Sequence, residues 1–163
     1  MQALNRRVTA AAVLAAAVLS VLATPVAQAK DDRRLLDIAG ALRTPAGRDR
    51  FDDTVQFLWA DQSYPPPVQS YDVTTTEYRA FAPTRTDDEA CNVAFIEALA
   101  ALRDHAKALG GNAVVNIKSI YKNREFRSDT QFECRAGYLI NNVSLEGRVV
   151  KLPEHGISTL RPN

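Results

Sequence analysis

The chain has 163 residues, of which 46% are hydrophobic and 24% are charged. This length and composition fit a single domain with one hydrophobic core. Because 20 basic side chains nearly balance 19 acidic ones, the sequence lacks the strong positive charge of a nucleic-acid-binding protein, and we expect no nucleic-acid partner.

The first 29 residues follow the pattern of a secretory signal peptide. Arg6 and Arg7 precede an apolar run of about 16 residues, Val8 to Ala23, and the small-residue sequence Ala-Gln-Ala occupies residues 27–29. The run is shorter than the roughly 20 residues that a membrane-spanning helix needs. We therefore predict cleavage after Ala29, no membrane span, and a location in the periplasm or outside the cell.

The mature part is predicted to be a single α+β domain, residues 30–152, followed by a flexible C-terminal tail, residues 153–163. Its first segment, Leu35–Leu42, predicts a short helix, although a glycine interrupts the pattern. Alternating apolar residues predict a strand over Val55–Trp59. Three consecutive prolines end it, and a second β-type run follows at Tyr71–Phe81.

The clearest predicted element is a long helix that begins after Thr86. Thr86 and Glu89 have the spacing of a capping box, and Gly110 is expected to end the helix in a left-handed conformation. Apolar residues at steps of three and four form one stripe, and alanines widen it. The stripe comprises Cys91, Phe95, Leu99, Leu102, Ala106 and Leu109, with Ala94, Ala98 and Ala101 beside it; Arg103 and Lys107 are expected in solvent.

After the helix the hydrophobic period changes to two, which predicts three antiparallel strands with one apolar face. The residues of that face are Ala113, Val115, Ile117 and Tyr121 in the first strand, Phe132, Cys134, Ala136, Tyr138 and Ile140 in the second, and Val143, Leu145 and Val149 in the third. The predicted fold class is therefore α+β, with one long helix packed on an antiparallel sheet.

The mature part has two cysteines, Cys91 and Cys134. An even pair in an exported protein indicates a disulfide, and the two positions agree with it, because one lies on the helix stripe and the other on the apolar face of a strand. The alternatives are a nucleophilic cysteine and a metal site. Both are disfavoured. For the metal site the reason is that two sulfurs 43 positions apart with no nearby histidine make only half of a four-ligand cage.

Gly110, Gly111 and Asn112 precede a Lys-Ser pair and superficially resemble a phosphate loop. A phosphate loop leads from a strand into the N-terminus of a helix, where free backbone N–H groups meet the anion. Here the glycines follow the C-terminus of a helix, whose dipole repels anions. We interpret the three residues as a structural corner between the helix and the next strand.

The remaining candidate residues are scattered along the chain. A dispersed enzyme site would bring His105, Asp104 or Tyr121 together with a carboxylate of shifted pKa. Trp59 and Tyr64, beside the three prolines, fit either core packing or an aromatic docking surface. The sequence indicates no cofactor, no metal site and no catalytic residue.

The run from Asp87 to Ser119, followed by Tyr-Lys-Asn at residues 121–123 and by Phe132 to Leu152, resembles a family of small exported bacterial proteins. Its members share a signal peptide, a cysteine-bearing helix, a GGNAVVNI-type corner and a second cysteine before Ala-Gly. Many are called excinuclease ATPase subunits, but that enzyme needs phosphate loops and zinc-binding cysteine pairs, which this chain lacks. The helix and corner are more distantly similar to YbjQ-like domains and to the lipoprotein sensor of the Rcs envelope-stress pathway. These resemblances imply an α+β module without a transferable site.

The sequence thus predicts a non-catalytic binding or sensing module of the cell envelope, whose partner is an envelope protein or a small ligand. The alternatives are a metal-binding or small-ligand-binding protein and an enzyme with a dispersed site.

Overall fold

The computed structural model describes residues 29–153. The predicted signal peptide, apart from Ala29, and the predicted tail, apart from Pro153, lie outside these described residues. The described strands are β1 (Asp32–Asp37), β2 (Gln56–Trp59), β3 (Gln69–Phe81), β4 (Ala113–Tyr121), β5 (Arg124–Phe126), β6 (Gln131–Ala136) and β7 (Ile140–Lys151). The helices are α1 (Ile38–Leu42), α2 (Pro45–Arg48) and α3 (Asp87–Leu109).

The strands form one curled, mostly antiparallel sheet in the order β1-β6-β7-β4-β2, with β3 paired to β7 and β5 paired to β4. The fold is therefore a mixed helix-and-sheet domain with an antiparallel-rich sheet, as predicted at that level. The exception to the predicted antiparallel pairing is β2, which pairs in parallel with β4. We call the side of the sheet that packs on α3 the helix face and the opposite side the outer face.

Helix α3 begins and ends where the sequence indicates. The Thr86 side chain accepts from the backbone N–H of Glu89, the Glu89 carboxylate accepts from the backbone N–H of Thr86, and Gly110 has a φ of 76°. Most of the predicted stripe is fully buried against the sheet. Leu109 and Ala101 are exceptions and are exposed, the former because it lies at the helix end.

The expectation that Arg103 lies in solvent is also wrong. Its side chain is only 12% exposed. The guanidinium donates to the backbone carbonyl of Arg50 and lies 5.6 Å from the ring centre of Phe51. The segment between α2 and β2 therefore covers this side of the helix, which its polar sequence did not predict.

A bulge in β4 changes which residues face α3. Asn116 has a φ of 56°, and the register with β7 shifts between Val115 and Lys118. Such an extra residue reverses the side-chain alternation beyond it. As a result, Ile117 joins the core under α3, whereas Ala113 and Val115 belong to a separate small core. The prediction that all three share one face is therefore wrong.

The predicted single strand over residues 131–140 is interrupted. The Gly137 N–H donates to the Ile140 carbonyl at 3.1 Å, which closes a tight turn between β6 and β7. Phe132, Cys134 and Ala136 are buried as predicted, but Tyr138 is 74% exposed and Ile140 is 41% exposed. The turn residues are apolar, so their sequence pattern resembles the continuation of a strand.

The predicted helix over Leu35–Leu42 is only half correct. Its first residues belong to β1, which pairs antiparallel with β6, and the helix begins at Ile38. The carboxylate of Asp37 caps α1 by accepting from the Gly40 N–H. Pairing with β6 overrides the local helix preference, since a long-range partner is invisible to a local pattern.

Two substitutions at the corner separate backbone strain from steric conflict. Gly110→Ala is expected to lower the free energy of unfolding by about 1 kcal/mol, because an L-residue is strained at positive φ while the nearest atom to the new Cβ, Tyr71 Oη, is 3.9 Å away. Gly111→Ala should cost more, roughly 1–3 kcal/mol, because its Cβ would lie 2.5 Å from Val149 Cγ1. Urea unfolding of both variants, with Gly110→Asn as the control that tolerates positive φ, measures the difference. A larger loss for Gly110→Ala than for Gly111→Ala would contradict this account.

Candidate functional site

The disulfide predicted from the two cysteines is present. Cys91 of α3 and Cys134 of β6 are joined, their Cα atoms are 5.8 Å apart, and both side chains are fully buried. Neither sulfur is therefore a nucleophile or a metal ligand in this structure. Among residues 29–153, no group of three or more His, Cys, Asp or Glu side chains is arranged to hold a metal ion.

At the corner, Asn112 ties the start of β4 to the end of β7. Its Nδ2 donates to the Leu152 carbonyl at 2.9 Å, and its Oδ1 accepts from the Leu152 N–H at 2.7 Å. The Gly111 N–H donates to the Ala106 carbonyl at 2.9 Å. The groups around the glycines are thus used in internal hydrogen bonds, and the corner holds chain segments together.

The other candidate residues are not assembled into a pocket. His105 is exposed on α3, and the Asp104 carboxylate binds Arg103. Trp59 is 7% exposed and lies 5.7 Å from Phe95 between ring centres, so it belongs to the core, and Tyr64 packs on the small second core. These contacts favour the packing interpretation over an aromatic docking surface.

Tyr121, in contrast, lies at the centre of a charged group that the sequence did not indicate. We call this group the cationic cluster, and it consists of Arg33, Lys122, Arg124 and Arg135 around Tyr121, with the carboxylates of Asp31 and Glu133. The guanidinium carbons of Arg135 and Arg124 lie 3.9 and 5.9 Å from the ring centre of Tyr121, and the Lys122 ammonium nitrogen lies 4.8 Å from it. Three cations therefore surround one aromatic ring.

The inner part of the cationic cluster is a partly buried ion-pair network. Glu133 is 8% exposed and binds two guanidinium groups, Arg135 at 2.8 Å and Arg33 at 2.6 Å. Arg33 also lies 5.1 Å from the ring centre of Phe126. One carboxylate thus holds two arginines on the outer face, and the network keeps an excess positive charge.

The outer part of the cationic cluster lies on the turn between β4 and β5. Lys122 and Asn123 both have positive φ, 47° and 62°, as in the two-residue turn that suits a β-hairpin. Lys122 is 72% exposed. The turn therefore presents a lysine to solvent from a fixed backbone position, next to Arg124.

The electrostatics of the cationic cluster favour the charged forms of its members. The hydrogen bond from the Tyr121 hydroxyl holds the pKa of Asp31 below its ordinary value of 3.8, and Arg135 and Lys122 act in the same direction against a partial desolvation. Contact with Tyr121 and with Asp31 raises the pKa of Lys122. Four cations and two carboxylates leave a net charge of +2. The chain as a whole has a formal net charge of +1.

No protein-family model matches the chain, and no curated protein or solved structure is significantly similar to it. None of the helices within residues 29–153 is long and apolar enough to span a membrane.

The disulfide generates a stability prediction. Closing a loop between residues 43 positions apart stabilises the fold by about 4 kcal/mol in the chain-entropy model. Cys134→Ser should therefore lower the free energy of unfolding by about 2–5 kcal/mol, measured by urea unfolding. Wild type in reductant is the matched condition, and it should lose a similar amount. An unchanged midpoint in both would contradict the prediction.

Proposed function

We propose that the mature chain is a non-catalytic binding module of the cell envelope, which holds an anionic ligand, a carboxylate or a phosphate, at the cationic cluster. The observation that carries this proposal is the gathering of three cations around the Tyr121 ring, with Arg33 held beside them by Glu133, on a chain whose overall charge is near zero. Guanidinium and ammonium groups are the usual protein partners of carboxylates and phosphates.

The strained backbone of Lys122 supports a role for its side chain. A lysine in the left-handed region costs roughly 1–2 kcal/mol, and asparagine or glycine is the ordinary residue at such a turn position. Asn123 is of that ordinary type, whereas Lys122 is not. Strain of this kind clusters at ligand sites, where the side chain contributes something that the backbone does not need.

The chemistry of the cationic cluster favours binding over catalysis. A general acid or base works best with a pKa near the operating pH. The Asp31 carboxyl has a pKa moved away from that range, and Glu133 is bound by two guanidinium groups. The Asp31 carboxylate therefore stays charged near neutral pH, and the Glu133 carboxylate is held in ion pairs, so the cationic cluster is suited to attract and orient an anion.

The proposed location rests on the buried disulfide and on the predicted signal peptide. Disulfides persist in oxidising compartments and are rare in the cytoplasm. Both cysteines of the mature part are used in a bond inside the core. A protein whose core includes a disulfide is suited to the periplasm or the exterior.

The turn between β4 and β5 allows a sharp test of anion binding. Titration of the mature protein with inorganic phosphate, and separately with citrate, followed by chemical shifts, should show saturable binding. Lys122→Gly should weaken it by roughly 10- to 150-fold, because a charge-assisted hydrogen bond contributes roughly 1.5–3 kcal/mol. The same variant should keep or raise the melting temperature, because glycine relieves the strain.

Asn123→Gly is the matched control, since it changes the same turn and keeps every charge. Its affinity for both probes should equal that of wild type. Absence of saturable binding to either probe, or equal weakening by both turn variants, would rule out the cationic cluster as the anion site.

The proposed location has its own test. Intact mass spectrometry of protein from a periplasmic extract should give a chain that begins at Lys30, with two thiols that become alkylated only after reduction. An uncut chain with two free thiols would place the protein in a reducing compartment and contradict the proposal.

A further inference from the structure

Strand β3 is a long, exposed edge of the sheet. It pairs with β7 along its whole length, from Gln69 opposite Lys151 to Phe81 opposite Ile140, and it has no second partner among the described residues. Tyr78 is 41% exposed and Phe81 is 55% exposed. One side of this strand therefore offers free backbone N–H and C=O groups next to large apolar side chains.

Apart from the charges of Glu77 and Arg79, this edge lacks the usual protection against pairing. Natural edge strands are kept short, bulged, or interrupted by lysine or proline. The other edges among residues 29–153 are short, with β1, β2 and β5 having 6, 4 and 3 residues. The 13-residue β3 has its irregularity between Ser70 and Val73, so residues 73–81 form a regular edge without lysine or proline.

Self-pairing of this edge has a preferred register. Consider two copies that pair antiparallel around a twofold axis perpendicular to a continuous sheet. Residues that oppose each other in an antiparallel pair have their side chains on the same face of the sheet. The twofold axis must therefore set one residue opposite the same residue of the other copy. An axis at Glu77 or at Arg79 would set like charges against each other. An axis at Tyr78 sets each Glu77 opposite Arg79 of the other copy, twice, and pairs Tyr78 with its own counterpart.

We propose that two copies of the mature chain form a symmetric dimer by antiparallel pairing of Thr75–Phe81 about Tyr78. Opposite-charge and aromatic cross-strand pairs are the stabilising pairs of antiparallel sheets. Glu77 and Arg79 are exposed and already bind each other within one chain at 3.0 Å, so both side chains lie on the outer face and reach across the new pair without displacing the core. This assembly is independent of the anionic ligand, because neither residue belongs to the cationic cluster.

The helices permit this arrangement. Helix α3 contacts β3 and β7 alike, and Thr76 Oγ1 donates to the Ala98 carbonyl at 2.8 Å. If α3 lies above the space between β3 and β7, the two α3 helices of the dimer are separated by two strand spacings. Since neighbouring strands are about 4.8 Å apart, this separation is about 10 Å. That separation is an ordinary distance between packed helices.

Charge reversal provides the test, by sedimentation of the full mature protein over a range of concentrations. Wild type should reach about twice the mass of one chain as concentration rises. Arg79→Glu and Glu77→Arg should each lose the dimer, because each sets like charges opposite each other. The double variant E77R/R79E should regain it. Lys151→Glu, a reversal on β7, is the control and should dimerise as wild type does.

The melting temperatures of these variants, measured below the concentration at which wild type dimerises, show whether the fold is retained. We expect them to match wild type because the substituted side chains are exposed. A wild type that stays monomeric would overturn the proposal, as would single reversals that keep the dimer or a double variant that fails to regain it.

A cysteine at the axis measures the register directly. Tyr78→Cys should form an interchain disulfide on mild oxidation, because the two residues are opposite each other, whereas Thr75→Cys, opposite Phe81, should not. Cross-linking of Thr75→Cys alone would overturn the proposed register. A monomer in which the amides of residues 75–81 that point away from β7 also resist hydrogen exchange would mean that another segment of the chain covers the edge, and would equally overturn the dimer.

Discussion

The packing of α3 on β6 is the contact on which the rest of the domain depends. Cys91 and Phe95 are one helical turn apart, and they meet Cys134 and Phe132, which are two residues apart on the strand. Four helical residues rise about 6.0 Å and two strand residues about 6.6 Å, so the two repeats match. The phenylalanine rings stack with centres 4.1 Å apart and planes at 14°. A covalent bond and a ring stack, side by side, therefore fix both the position and the direction of the helix on the sheet.

This packing also determines what the outer face presents. Because side chains alternate along a strand, burying Phe132 and Cys134 against α3 turns Glu133 and Arg135 the other way. Glu133 is then held in a site with little solvent and needs its two guanidinium partners, since a buried carboxylate without a partner costs several kcal/mol. The arginines gathered for that reason place positive charge beside Tyr121. The cationic cluster is thus a consequence of the same alternation that builds the core.

The helix and the disulfide were predictable from sequence because their signals are local. The capping box at Thr86, the apolar stripe and the period of two each lie within one element, and both cysteines lie on predicted apolar faces. The failures have non-local causes. The bulge at Asn116 depends on the pairing of β4 with β7, and β1 forms only because β6 is beside it.

The sequence does not reveal the cationic cluster for the same reason. Its members come from β1 and the residue before it, from β6, and from the hairpin formed by β4 and β5, and no long run of basic residues marks it.

The structure also explains how the domain tolerates locally unfavourable features. A disulfide that contributes about 4 kcal/mol exceeds the roughly 1–2 kcal/mol that a left-handed Lys122 costs. Without the disulfide, a domain of this size would have little stability to spare for strain at a turn or for a long exposed edge strand. The covalent bond inside the core thus contributes stability that offsets these unfavourable surface features.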